Sequence, residues 1–240
     1  MSSPYLYATW LTAPSDEDTG RVAADFVAAL EGTPGVVQTA AYRLTVGGPA
    51  MQKLAGVVKR IDDERFRAAA PRAVVLAELD SLATSAEVGD RFGARDDGPD
   101  PLPEAGNIAW QVLFHELSYV SGPEESSDPS FGPAIQLGAL NVDSLQAEWE
   151  LNQWYERVRL PAVATMPGQI RTRRYVSVAG PPRYGVLYEF LSLDARIKGF
   201  EEREESRGLD RSHPTSKLMD YTVHAPGAPF IGERLEPPSS

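Results

Sequence analysis

The residues able to do chemistry in this 240-residue sequence are few, and cysteine is not among them. Histidine is the usual proton carrier near neutrality, and the chain has three. His213 precedes Pro214 in a polar stretch and is expected in solvent. His115 and His224 fall in β-prone runs and are candidates for proton transfer if they face a barrel lumen. No His-x-His or His-x-x-x-His spacing occurs, and the one dense carboxylate run, Glu201–Glu205, reads as a solvated helix face. No metal site is therefore expected. No Gly-x-Ser-x-Gly elbow and no glycine-rich phosphate loop after a strand is present either.

Two stretches gather the remaining polar groups. Between Leu145 and Val163 the apolar residues recur at helical intervals, with Ala147, Leu151, Trp154, Tyr155 and Val158 on one face. Glu148, Asn152 and Arg159 run along the edge of that face beside Tyr155. They read either as a boundary network fixing the helix or as groups that hold a polar ligand. Between Gln169 and Val178 the pattern is that of a strand. Arg171, Arg173, Tyr175 and Ser177 share one face; Ile170, Thr172, Arg174 and Val176 share the other. A buried guanidinium needs an anion, and Glu189 on the next strand is the internal choice; a substrate carboxylate or phenolate is the other reading.

The elements that must position these groups are set by periodicity and breakers. Strands are expected at Tyr5–Leu11, Val36–Val46, Ala73–Leu79 and Ile108–Val120, and again at Ile135–Val142, Gln169–Val178, Tyr184–Leu191 and Leu218–His224. Helices are expected after Ser15, at Leu82–Phe92, at Leu145–Val163 and at Ala195–Arg207. Leu54, Val57, Val58 and Ile61 predict a helical insertion over Ala50–Ala70. Ser121–Pro133, rich in Gly, Pro, Ser and acid, reads as a linker, and Pro226–Pro237 as irregular.

The two sets of elements share more than their order. Pro34, Gly35, Thr39, Tyr42 and Gly47 match Pro167, Gly168, Thr172, Tyr175 and Gly180 at one offset. Val75, Leu76, Glu78 and Ser81 match Val186, Leu187, Glu189 and Ser192 at a shorter one. The pattern predicts an α+β chain of two tandem ferredoxin-like βαββαβ repeats, residues 1–122 with the insertion at 50–70, and residues 134–230. One face of each four-stranded sheet would be bare, so the two should close on each other as a pseudo-dimeric barrel within one chain, without a second copy.

Composition narrows the partners. A net charge of −11 opposes nucleic acid, whose phosphates need a basic footprint. No segment is long and apolar enough for a membrane span, and the start, Met-Ser-Ser-Pro-Tyr, shows no signal-peptide pattern. Absence of cysteine fits a cytoplasmic protein. The many rings, Tyr5, Tyr7, Trp10, Trp110, Phe114, Tyr155, Tyr184 and Tyr188 among them, suit a core that also receives a flat apolar or aromatic molecule.

The second half resembles the EthD-like branch of the dimeric α+β barrel superfamily. The likeness rests on Leu151-Asn-Gln-Trp-Tyr155, Arg159-Leu-Pro161, Pro167-Gly168, Arg174-Tyr175 and Tyr184 through Glu189. Arg159 stands where that family usually carries a histidine, so the histidine's role does not transfer. The resemblance implies a cofactor-independent cyclase, dehydratase or monooxygenase acting on a small aromatic or polyketide-like molecule. In that reading Tyr155 and a strand histidine, His224 or His115, exchange protons. Asn152, Trp154, Arg159, Arg173, Tyr175 and Tyr188 line the substrate, and no cofactor is required. A binding protein without catalysis is the alternative, and a haem barrel with His115 or His224 as axial ligand a third reading.

Overall fold

The computed structural model describes residues 3–45, 47–48, 51–52, 58–63, 66, 70–92, 107–202 and 220–236. The chain enters as β1 (Tyr5–Thr12) and turns into α1 (Asp16–Glu31). Ser15 caps α1, its hydroxyl accepting from the Asp18 amide, and Asp16, Glu17 and Asp18 complement the helix dipole in the first turn. β2 (Val36–Leu44), β3 (Lys59–Arg60), β4 (Ala73–Leu79), α2 (Leu82–Phe92) and β5 (Asn107–Ser121) come next. Then come β6 (Ala134–Val142), α3 (Leu145–Trp154), α4 (Leu160–Val163), β7 (Gln169–Ala179), β8 (Tyr184–Phe190), α5 (Leu193–Ala195), β9 (Thr222–His224) and β10 (Phe230–Arg234).

Eight antiparallel strands close into one barrel in the order β2-β4-β1-β5-β7-β8-β6-β10, with β10 pairing back onto β2. The α+β barrel class and its closure within one chain are as expected. Alternation sorts the side chains. Leu6, Ala8, Trp10, Tyr42, Leu76, Trp110, Phe114, Leu137, Tyr175 and Leu187 fill the lumen. Residues of opposite parity meet the helices outside: Val22, Phe26 and Leu30 of α1 against Val75 and Ala77, and Leu151, Tyr155 and Val163 against Tyr184, Val186 and Tyr188. Trp10 and Trp110, direct partners across β1 and β5, stack with ring centroids 3.4 Å apart.

Four expectations need correction. Lys59–Arg60 is a strand paired in parallel with Val223–His224, not helix; Leu54 and Val57 lie outside the described residues. The run after Pro226 contains β10, whose Phe230–Glu233 pairs with Ala134–Leu137 and closes the barrel. Within the expected Leu145–Val163 helix, Tyr155–Arg159 widens to π-helical turns, as Arg196–Glu201 does after α5. Finally, the Ser121–Pro133 segment is no loose linker over its last residues. Phe131 is 2% exposed and belongs to the lumen core.

The residues around Phe131 are held from several strands at once. Tyr42 Oη donates to the Gly132 carbonyl at 2.8 Å, and the Gly132 amide donates to Glu189 Oε2 at 2.8 Å. Arg171 Nη2 donates to the Pro129 and Ser130 carbonyls at 3.0 and 2.5 Å, and Arg234 Nη1 to the Phe131 carbonyl at 3.1 Å. The segment stoppers one end of the barrel. Phe131→Ala should therefore lower unfolding free energy by about 3–5 kcal/mol in urea titration, as for a core aromatic. A loss below about 1 kcal/mol would mean that the ring is not part of the core.

Candidate functional site

The sheet divides the candidate residues between two environments. Arg171, Arg173 and Tyr175 project from β7 into the lumen, as strand alternation predicts. There Arg173 bridges two carboxylates, with Nη1 on Glu78 and Nη2 on Glu189 Oε1 at 3.0 Å. Arg171 forks onto Glu189 at 2.9 and 3.0 Å, and Gln38 donates to Glu78 Oε2 at 2.8 Å. Desolvation pushes Glu189 up, but Arg173 and Arg171 outweigh it and hold the carboxyl below its ordinary range. Burial likewise opposes the charged form of Arg173, yet Tyr175, Glu189 and Glu78 around it raise its pKa on balance. Of the two readings open for these arginines, the geometry supplies the internal ion pairs. Burial pushes the Tyr175 phenol far up, so it stays protonated well into alkaline solution.

On the other side of the sheet, under the second-half helices, five candidates gather. Tyr155 and Arg159 come from the π-helical turn, Asn152 and Trp154 from α3, and Tyr188 from β8. Arg159 is 8% exposed; its Nε donates to Tyr188 Oη at 3.2 Å, and its guanidinium carbon lies 4.6 Å from the Phe200 ring centroid. Burial drives the Tyr155 phenol well above its ordinary value; Tyr188 adds to the rise, while Arg159 and Arg174 oppose it. Tyr155 and Arg159, four residues apart on the π turn, are both buried. Asn152 spends its carbonyl on Arg174 Nη2 at 2.7 Å, and Arg174 also reaches Glu156 at 3.0 Å over the Tyr155 ring. A third buried arginine on this side, Arg196, donates to Gln136 Oε1 at 2.7 Å and to Glu201 at 2.5 Å. Sequence reading misses it because the helix that carries it is so heavily charged that it reads as a solvated face.

Neither histidine faces the lumen. Phe114 points inward, so its neighbour His115 points out, edge-on to Tyr5 with centroids 5.0 Å apart. His224 opposes Leu140 across β6 and β9, and Leu140 opposes Tyr184. Tyr188 opposes Gln136, four residues along β6, so His224 stands about 13 Å along the strands from the Arg159 cluster. No side-chain hydrogen bond is made by its Nδ1 among the described residues.

Open cavities lie elsewhere. A cavity of about 640 Å³ runs between α1 and the β2 and β10 strands, lined among others by Ala24, Val27, Ala28, Ala41, Arg43 and Leu235. A second, of about 700 Å³, opens beside Pro133, Glu233, Arg234 and Glu236. Among the described residues neither cavity is lined by a histidine. Among the described residues no group of three His, Asp or Glu could hold a metal ion, and no helix is long and apolar enough to cross a membrane.

Neither a family model nor a curated protein matches this chain. Solved structures do match in shape. An anthrone oxidase-like protein superposes with a TM-score of 0.57 at 10% identity, over 98% of this chain and 94% of that one. A chlorite dismutase variant from Candidatus Nitrospira defluvii gives 0.52 at 12% identity, over 98% and 92%. A protein of Fusobacterium nucleatum subsp. nucleatum designated as a monooxygenase gives 0.52 at 8% identity, over 98% and 94%. At such identities the likeness establishes the fold alone, an α+β barrel.

His224 provides a direct probe of the sheet edge. Burial first, and then Arg60, lower its pKa from 6.5 to about 4. The folded state thus binds its proton less readily than the unfolded chain, so the stability this gives is full above about pH 6.5 and drains as pH falls toward 4. His224→Gln should flatten that part of the stability–pH profile by about 2–3 kcal/mol, read by urea titration between pH 7 and 4. An unchanged profile would place the imidazole in solvent.

Proposed function

We propose that this chain is a cofactor-independent enzyme acting on a small, flat, apolar molecule with an ionisable oxygen, in the helix layer of its second half. The observation that carries this reading is the contact of Arg159 with Tyr188 beside Tyr155, a cation and two phenols set among Trp154 and Phe200. Arg159 cannot act as a base, since its guanidinium stays protonated. A fixed cation and a phenol donor instead stabilise an anionic oxygen in an apolar layer. A ketone that ionises readily to its enolate, such as anthrone, needs no strong base; the protein holds the anion while it reacts with dioxygen to give the quinone and water. Tyr188 and Arg159 would bind the oxygen, Tyr155 would return protons, and Trp154 and Asn152 would orient the ring. His115 and His224 have no part in this scheme. The structural likeness to an anthrone oxidase-like protein and the EthD-like motifs from Leu151 to Glu189 support it.

The same proposal includes an origin by tandem duplication of a ferredoxin-like unit, residues 1–122 and 134–230. Supporting it, the first half orders its strands β2-β4-β1-β5 and the second β7-β8-β6-β9. β2 skips a residue between Val36 and Gln38 against β4, and β7 skips one between Gln169 and Arg171 against β8. Gly35 and Gly168 take φ of 85° and 79° at matching turns. An added Cβ would collide with the Thr84 hydroxyl at the first and come within 2.6 Å of Ala195 Cβ at the second.

A reading as a binding protein without catalysis is favoured by one observation, the distance of about 13 Å between the Arg159 cluster and His224. Oxygen uptake with anthrone separates the two. The enzyme should consume anthrone well above its spontaneous rate, Arg159→Ala should cut the acceleration by about 10²-fold, and Tyr188→Phe by about tenfold. Saturable anthrone binding without acceleration would leave the binding reading; no binding would refute both.

A further inference from the structure

The crevice between the first helix and the second strand of each half is filled in one half and open in the other. Ala41 faces Val75 in the β2–β4 pairing as Arg174 faces Val186 in the β7–β8 pairing. In the second half Arg174 occupies the space between helix and strand, bonded to Asn152 and Glu156, with its guanidinium 4.2 Å from the Tyr155 ring. In the first half the methyl group of Ala41 leaves that space vacant, and small residues of α1, Gly20, Ala24 and Ala28, keep it so. The result is the cavity of about 640 Å³.

This groove is polarised along its length. α1 and β2 run antiparallel, so Arg43 reaches the Gly20 end, its Nη2 3.7 Å from where a Cβ on Gly20 would stand. Arg21 lies at the same end. Among the described residues Arg43 makes no ion pair and no side-chain hydrogen bond. Glu31 and Glu236 lie toward the other end, where Thr39 donates to Glu31 at 2.7 Å. Between the ends stand Ala24, Val27, Ala28, Ala41 and Leu235, with the charged Asp25 and Arg234 also on the lining and Arg234 bonded to the Phe131 carbonyl. From Thr39 to Arg43 the strand spans about 13 Å. The volume is that of a small-ligand site, and a cation without a partner at one end of an apolar channel fits an anionic head on an apolar body.

We infer that this groove binds a small apolar monocarboxylate, its carboxylate on Arg43 and its chain along Ala24, Ala28, Ala41 and Leu235. The site is separate from the Arg159 cluster and stands whether or not that cluster catalyses anything. Calorimetric titration with decanoate, below its micellar concentration, against decanol and decylammonium tests it. Decanoate should bind saturably at one site, decanol about tenfold more weakly, and decylammonium least. Arg43→Ala, at an exposed position, should bring decanoate down to the affinity of decanol while leaving anthrone consumption unchanged. Ala28→Phe, also exposed, should block decanoate and decanol alike, with far-UV circular dichroism confirming that both variants fold. No saturable decanoate binding would overturn the inference. So would equal affinity for the three head groups, or decanoate binding indifferent to both substitutions.

Discussion

The position of Arg173, shared between Glu78 and Glu189, is the constraint on which the barrel depends. Each carboxylate sits near the end of a strand, β4 or β8, and strand parity turns both into the lumen. Two buried carboxylates with no cation between them would repel and stand unpaired. The first half supplies only Gln38 where the second supplies Arg171, and Ala40 where it supplies Arg173. Glu78 is therefore neutralised only when the halves meet. A single-residue slip of β7 would turn Arg173 outward and leave both carboxylates unpaired, a penalty of several kcal/mol. The ion network thus fixes the register of one half against the other more strictly than the apolar lumen residues would alone.

That arrangement also decides where a ligand can go. Phe131 and its hydrogen-bonded neighbours close the charged end of the lumen, while Trp10, Trp110 and Phe66 pack toward the other. With the lumen occupied by side chains, the other buried polar groups lie in the layers between sheet and helices. The layers differ because the helices differ. In the second half, π-helical turns place Tyr155 and Arg159, and then Arg196 and Phe200, against β8 and β6. In the first half α1 stays regular and presents alanines toward β2.

The parts of this design legible in the sequence are those decided within one element or between elements adjacent in sequence. Alternation from Arg171 to Ser177 assigns Arg173 to one face and Arg174 to the other, and both assignments hold. The Glu189 partner of the β7 arginines is also readable, because β7 and β8 are adjacent in sequence. Ser15 caps its helix as its position implies, and of Asp143 and Ser144, the two residues placed to cap the Leu145 helix, Ser144 does so. The features that escape are decided at a distance. Phe131 lies among glycines, prolines and serines, with no periodicity to mark it as buried, and the partners of the adjoining Gly132 come from 90 positions earlier and 57 later. β10 offers only Phe230 and Ile231 between Pro229 and Gly232, too short a run to signal a strand. The outward turn of His115 is a matter of the parity of β5, whose absolute phase is set by Phe114 entering the lumen.

The widening of a helix to π turns leaves no composition signature, yet it accounts for the most consequential difference between the halves. A regular helix through Tyr155 would place Arg159 one turn on, stacked over the same face at a spacing of about 100° per residue. The extra residue of a π turn rotates the rest of the helix, so that Arg159 drops onto Tyr188 rather than beside it. In the first half the corresponding helix carries Leu30 inward, an apolar side chain that needs no partner. The barrel tolerates both solutions because the lumen network, not the outer helices, sets its register. A helix that is not needed to define the register is free to widen in one half and to thin to alanines in the other.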